Sequence, residues 1–298
     1  MPKIMIPKAA RALMQRENNS LDKDKVGSSI KPDSILSDSS HSQDSTSADP
    51  QTRKEHKCIR KLKEECHLAN IAVSDNVIFR FACFYNFNFD KARPAMLEKF
   101  DDPHLHLRME DQLYEQFQKK VMFPLPGLRT KNMKHEVLYF RPSRHLPTKM
   151  DTDLCIRNMT YVFNSMSLTE EQCRNGIAFI SDFNHWTFSK NVSIADSHKF
   201  SMALQGQVPT KVEKILIVNA PSWFPKLYRH FFKKMLSKSF AKRVHILKHP
   251  QQLQDHLMDG CEKYLPVELG YSVDSTEIVE DFVDFKRYTE SIHSMRAS

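Results

Sequence analysis

The sequence predicts an α/β domain, a mostly parallel sheet flanked by helices, with a helical subdomain in front of it. Two runs carry the prediction, Gly176-Ile-Ala-Phe-Ile180 and Lys214-Ile-Leu-Ile-Val218, both apolar without alternation. That pattern marks strands buried on both faces, as in parallel sheets. Segments of helical periodicity separate and follow the two runs, which is the order of repeated strand–helix–strand units.

The elements follow in order. Residues 1–52 read as a disordered Ser/Asp-rich tail, because Ser20–Pro50 carries no aromatic residue and too little apolar surface to offset the entropy of ordering. Its start, Met1–Arg16, has Lys3, Lys8, Arg11 and Arg16 and no acid, a composition shared by transit peptides and by disordered basic arms. Residues 53–120 read as the helical subdomain. Its helices are the charged run around Lys57–Cys66, then Asp75–Phe84, then Asp90–Phe100 with Ala92, Ala95 and Met96. A last one follows Pro103, with Met109, Leu113, Tyr114 and Phe117 at helical spacing. The main domain is set at 121–272. Phe123-Pro-Leu-Pro-Gly127 reads as a turn-rich connection and Glu136–Phe140 as a short strand. A helix is expected at 152–166, one at 193–205 closed by Gly206 as a C-cap, and one at 222–236, with a last strand at Arg243–Leu247. Residues 273–298 read as a C-terminal tail.

Composition excludes several chemistries. The six glycines stand at 27, 127, 176, 206, 260 and 270, never a few residues apart, so no dinucleotide turn, P-loop or nucleophile elbow can form. None of the six cysteines is followed six residues later by Arg, which removes a cysteine phosphatase loop, and none forms C-x-x-C. Such spacing suits reduced thiols of a cytoplasmic protein. His104 with His106, and His245 with His249, are close pairs that no Cys or carboxylate spacing completes into a zinc site. We therefore expect no metal, no cofactor and no enzyme activity. No run approaches the length of a membrane span.

The strongest signal is positional. Between Ser222 and His249 lie Lys226, Arg229, Lys233, Lys234, Lys238, Lys242, Arg243 and Lys248 without one acid, a sum equal to the net charge of +8. Phe224, Leu227 or Tyr228, Phe231 and Met235 fall on one helical face between them, widened by Phe232 and Leu236. Three readings stay open on composition: a solvated amphipathic helix on the sheet, a helix meeting an anionic membrane, and a nucleic-acid surface. The last wants aromatics exposed on strands or a helix entering a groove, and the sequence shows neither.

Six collinear segments resemble the CRAL-TRIO lipid-binding family. Phe79-Arg80-Phe81 followed by Asn88-Phe89-Asp90-Lys91-Ala92 is similar to its "LLRFLRARKFD…A" helices, and Val137-Leu-Tyr-Phe-Arg-Pro142 to its first strand. Asn175–Asp182 resembles "GivaifD", and Lys214–Phe224 resembles "k…iiNaP..f". Lys242–Ile246 looks like "RihfL", and Leu265–Gly270 like the closing "LPxEfGG". Arg174–Leu247 looks most like the lipid-binding module that precedes the catalytic domain of a non-receptor tyrosine phosphatase.

The resemblance implies a pocket between sheet and helices, closed by a mobile gate helix and holding one hydrophobic lipid such as a phospholipid, tocopherol or retinoid. On that basis Ile177, Phe179, Ile215 and Ile217 are expected to line the pocket, and Phe224, Leu227, Phe231 and Met235 to line the gate. Lys211, Lys233, Lys234, Lys238 and Arg243 are expected to contact headgroups or the membrane. Lys211 and Arg243 match basic phosphoinositide-binding positions of family members, whereas Thr210 stands where fungal phosphatidylinositol carriers have a Glu, and Cys83-Phe84-Tyr85 replaces Arg-Ala-Arg. The expected partners are a hydrophobic lipid and an anionic membrane surface, phosphoinositide-containing membranes included, with no nucleic acid and a monomeric state. The alternative is an adaptor with an empty fold that recruits proteins.

Overall fold

The computed structural model describes residues 49–71, 73–99, 108–109, 111–147 and 152–297. His104, His106 and nearly all of the expected N-terminal tail lie outside the described residues. Five strands form one sheet in the order β1 (Met122–Arg129), β2 (Glu136–Phe140), β3 (Ile177–Asp182), β4 (Val212–Val218) and β5 (Val244–Ile246). β1 is antiparallel to β2, and the other neighbours are parallel. The sheet is thus the mostly parallel α/β architecture that the continuous runs predict.

β1 corrects the reading of 123–127 as a connection. Pro124 and Pro126 cannot donate to a ladder, and the strand tolerates them because it is the sheet's edge. Its register with β2 shifts between Pro124 and Arg129, across Gly127 at φ 85°.

Strand register sorts the side chains. Leu138, Phe179, Ile215 and Val244 form one row across β2–β5, and Phe140, Ser181, Ile217 and Ile246 form the next row on the same face. Tyr139, Ile180, Leu216 and His245 point the other way. Because parallel crossovers are right-handed, the connections between β2, β3, β4 and β5 all lie over the first face. The opposite face is covered by the 3₁₀ turns that follow β5, where the His256 ring lies 5.6 Å from that of His245.

At the carboxyl ends of the strands, buried Asp182 accepts from Tyr139 Oη at 2.7 Å and from Asn219 Nδ2 at 2.8 Å. It also accepts from the Asn184 N–H at 3.0 Å. The aspartate and asparagine of the two strand motifs therefore tie β2, β3 and β4 together, and their hydrogen bonds are consumed by the fold.

Helices Pro50–Leu68, Asp75–Phe84 and Phe89–Lys99 build a separate core around Leu62, Phe81, Ala82 and Ala92. It docks on the short helix Glu170–Asn175, which contributes buried Cys173. Arg174 Nη2 lies 2.6 Å from Glu55 Oε2, and its guanidinium sits 5.0 Å over Phe79. That hydrogen bond holds the Glu55 carboxyl below its ordinary pKa. Helix Asp111–Gln118, assigned by sequence to this subdomain, instead packs Leu113 and Phe117 into the core of the sheet domain.

The segment 273–298 is not a loose tail: Ser275–Ala297 is a helix with Val279, Phe282 and Val283 buried. Phe282 meets Phe117 at 5.3 Å between ring centroids, and Tyr161 Oη donates to Glu290 Oε1 at 2.5 Å. Helix Ile194–Met202 does not end at Gly206 either. It runs on into a π-helical turn, Ala203–Gln207, that contains the glycine.

Gly176 is required where β3 starts. Its φ of 71° and ψ of −169° are open to glycine alone, and a Cβ there would lie 2.5 Å from the Lys211 carbonyl oxygen. Gly176→Ala is expected to destabilise the protein by about 2–4 kcal/mol, read as a lowered denaturant midpoint. A change under about 1 kcal/mol would show that β4 can move aside.

Candidate functional site: an apolar cavity under a basic gate helix

After Asn219-Ala220-Pro221 the chain enters a helix over 224–235. It begins as Phe224–Leu227, widens into a π-helical turn at Tyr228–Phe232, and closes as Lys233–Met235. Pro225 sits in its first turn, where the missing N–H costs no helical hydrogen bond. Phe224 roots it. The Phe224 ring is buried and lies 4.5 Å from Phe183, 5.5 Å from Trp186 and 6.1 Å from Phe232 between centroids.

Beneath this helix is a cavity of about 210 Å³. Its floor is Ile215 and Ile217 of β4 with Phe140 and Val244, and its lid is Phe224, Tyr228, Phe232 and Met235. Of the expected lining residues, the structure therefore brings together Ile215, Ile217, Phe224 and Met235. It does not bring Ile177, Phe179, Leu227 or Phe231 to the cavity. Phe179 shares the face of Ile215 by register, but the Phe163 ring covers it at 5.7 Å. Ile177 is buried at the strand start, beside Val212.

The gate residues differ for a helical reason. A π turn takes one more residue than an α turn, which carries the inward face from Leu227 and Phe231 to Tyr228 and Phe232. Leu227 still packs against the core, while Phe231 meets the edge of Phe232 at 5.1 Å.

A second pocket, of about 230 Å³, adjoins the first, with Leu204 and Phe240 forming walls of both. It is polar, and it brings Thr210, Lys211 and Arg243 together with Ser237 and Ser239. Pairing of β4 with β5 sets this up, since the Ile215 N–H donates to the Arg243 carbonyl at 2.9 Å. Arg243 also lies 3.8 Å from Glu213, so part of its charge is compensated. The Thr210 and Ser167 hydroxyls are 3.5 Å apart.

Lys233, Lys234 and Lys238 are exposed on the outer side, as are Lys226, Arg229, Lys242 and Lys248. Among the described residues none of these seven has a carboxylate oxygen within 4.0 Å. Trp223, at the helix start, is 43% exposed and lies 5.5 Å from Trp186 between ring centroids. An exposed indole beside a cationic helix is the make-up of an interfacial membrane contact.

Sequence reasoning missed Trp186, Phe183 and His145 in the cavity wall. The first two follow β3 in an aromatic-rich loop that gave a signal. His145 follows a 3₁₀ turn, Pro142–Arg144, with no periodicity to mark it. No group of three or more His, Cys, Asp or Glu among the described residues is placed to hold a metal ion. No described helix is long and apolar enough to cross a membrane. The cysteines are buried, and burial pushes the Cys155 thiol up to about 12, which makes it a poor nucleophile.

Comparison with known proteins matches residues 119–270, just over half of the 298-residue chain, to the CRAL/TRIO domain. Tyrosine-protein phosphatase non-receptor type 9 of Mus musculus is 29% identical over 134 residues, which is 45% of this chain and 22% of that protein. The Homo sapiens protein of the same name gives the same identity and coverage. The chain thus spans about a fifth of the length of the curated relatives it matches. The crystal structure of Sfh5 superposes with a TM-score of 0.51 at 12% identity, covering 82% of this chain and 98% of that one. This last likeness is one of fold.

Proposed function

Because this chain belongs to the CRAL/TRIO domain family, we propose that it binds one hydrophobic lipid beneath the 224–235 helix and presents or transfers it at anionic membranes. Members of the family bind hydrophobic lipids. The observation that carries the reading here is an uncharged cavity beneath a helix whose outer side is cationic. The apolar space takes up an apolar chain, and the outer lysines draw that same helix onto negatively charged headgroups. Docking and opening then act on one element. The reading is of a non-enzymatic, monomeric, cytoplasmic protein that associates peripherally with membranes and does not bind nucleic acid. The matched part of the phosphatase gives no ground for assigning phosphatase activity.

Phosphoinositides are the proposed preferred headgroups, through Lys211 and Arg243 in the polar pocket. The double variant Lys211→Ala, Arg243→Ala is expected to lose several-fold of the preference for phosphoinositide over phosphatidylserine vesicles. Its binding to plain phosphatidylserine vesicles should stay within about twofold, because the exposed lysines remain. An unchanged preference in vesicle co-sedimentation would remove these two residues from headgroup selection.

One observation favours a second reading. At about 210 Å³ the cavity is smaller than the roughly 300–1,000 Å³ of typical ligand sites, as expected of an adaptor whose pocket has filled in. Native mass spectrometry of the purified protein separates the two. A lipid-sized adduct supports carriage, with the gate displaced in the loaded state. An adduct-free protein that takes up no lipid from vesicles supports the adaptor.

A further inference from the structure

His145 is 5% exposed, and among the described residues neither of its ring nitrogens has a hydrogen-bond partner. It lines the apolar cavity. Its position is fixed from several sides: Asn191 Nδ2 donates to the Ser143 carbonyl at 3.1 Å and to the His145 carbonyl at 3.0 Å. The Phe200 ring packs edge-on at 5.3 Å between centroids. A buried polar group without a partner is costly, and native proteins keep few of them without a use.

Like Asn191, the two serines of the wall already have backbone partners. Ser197 Oγ donates to the Ser193 carbonyl at 2.7 Å, and Ser201 Oγ donates to the Met235 carbonyl at 2.9 Å. Among the described residues no Lys, Arg, Asp or Glu lines this cavity. Lys211 and Arg243 stand in the neighbouring polar pocket, and the lysines of the 224–235 helix are exposed on its outer side. A charged headgroup inside the apolar cavity would meet no counter-charge and would bear a large desolvation cost.

Resting on the lipid-carrier reading, we propose that the ligand of the apolar cavity is a neutral lipid alcohol whose hydroxyl hydrogen-bonds to the His145 imidazole. Burial holds the imidazole below its ordinary pKa and so keeps it neutral, with one nitrogen a donor and the other an acceptor. A hydroxyl both donates and accepts, so it meets either nitrogen whichever one carries the proton. A carboxylate or phosphate could accept from the single N–H of the neutral ring, but it would be buried without a counter-charge, because burial opposes the imidazolium. A pure hydrocarbon would leave both nitrogens unpaired. His145 is on this account the specificity-determining residue of the cavity, and the remaining walls contribute only apolar contact.

The chain contains its own reporter. Trp186 lines the cavity, and the sequence has only one other tryptophan, Trp223, whose ring lies 5.5 Å away between centroids. Full-length protein is titrated with 1-octanol, octane and octanoate, following tryptophan emission. A cavity of about 150 Å³ accepts a benzene ring, so chains of this length match the space of the closed protein. In His145→Phe, which keeps an aromatic ring and removes both nitrogens, the ratio of octanol to octane affinity is expected to fall at least tenfold. In His145→Gln, which restores a donor and an acceptor, the ratio is expected to stay within about threefold of wild type. The Gln variant also carries the test should the Phe variant fail to fold. An unchanged ratio in His145→Phe, or octanoate binding as tightly as octanol, overturns the lipid-alcohol inference and leaves the carrier reading standing. If none of the three probes alters the emission of wild-type protein, the carrier reading itself falls, and this inference with it.

Discussion

Replacing Lys233, Lys234 and Lys238 with Glu is expected to lower binding to anionic liposomes, and lipid transfer to them, at least tenfold. Each lysine near an anionic surface contributes on the order of 1 kcal/mol, and a tenfold change needs only about 1.4 kcal/mol. Removing three positive charges would suffice, and the substitution also places three negative charges on the same side. All three lysines are exposed and none has a carboxylate within ion-pair distance among the described residues, so their loss breaks no internal contact. The apolar face toward the cavity is untouched, and the lipid retained in purified protein should be the same as in wild type.

Salt provides the internal control. At about 0.15 M ionic strength charges are screened over roughly 8 Å, and at 1 M over roughly 3 Å. The wild type and the triple-Glu variant should therefore converge as salt rises. A variant that binds and transfers as well as wild type at low salt would show that the 224–235 helix is not the docking face. Its lysines would then be ordinary solvated charge, one of the three readings that composition left open.

Which parts of this arrangement the sequence reveals follows from how local each cause is. β3 and β4 are legible because burial on both faces leaves Ile177–Ile180 and Ile215–Val218 without a polar residue. β1 is illegible because Pro124 and Pro126 argue against a strand until its edge position is known. The last helix hides because its buried apolar residues among the described ones are Val279, Phe282 and Val283, in a segment otherwise rich in charge. In the site, the basic run is visible as composition, whereas the inward residues depend on a π turn that local periodicity does not announce. His145 owes its place in the cavity to the Pro142–Arg144 turn and the Asn191 clamp, contacts between segments far apart in sequence.

The gate residues provide the second large effect. Phe224→Ala is expected to destabilise the protein by about 3–5 kcal/mol, the cost of emptying a buried phenylalanine site. Phe224 is 2% exposed and its ring joins Phe183, Trp186, Tyr228 and Phe232, so the loss strips partners from four other rings. Phe231→Ala removes the same atoms from a half-buried position whose ring contact is the edge of Phe232, and about 1 kcal/mol or less is expected. Phe232→Ala should fall between the two, because its ring lines the cavity and meets Phe224. Urea midpoints of the three variants at fixed slope give the order directly. The order Phe224, Phe232, Phe231 follows from the inward shift across the π turn. An uninterrupted α-helix would instead set Phe231 inward beside Phe224, and a larger loss for Phe231→Ala than for Phe232→Ala would mean that the gate helix has no π turn in solution.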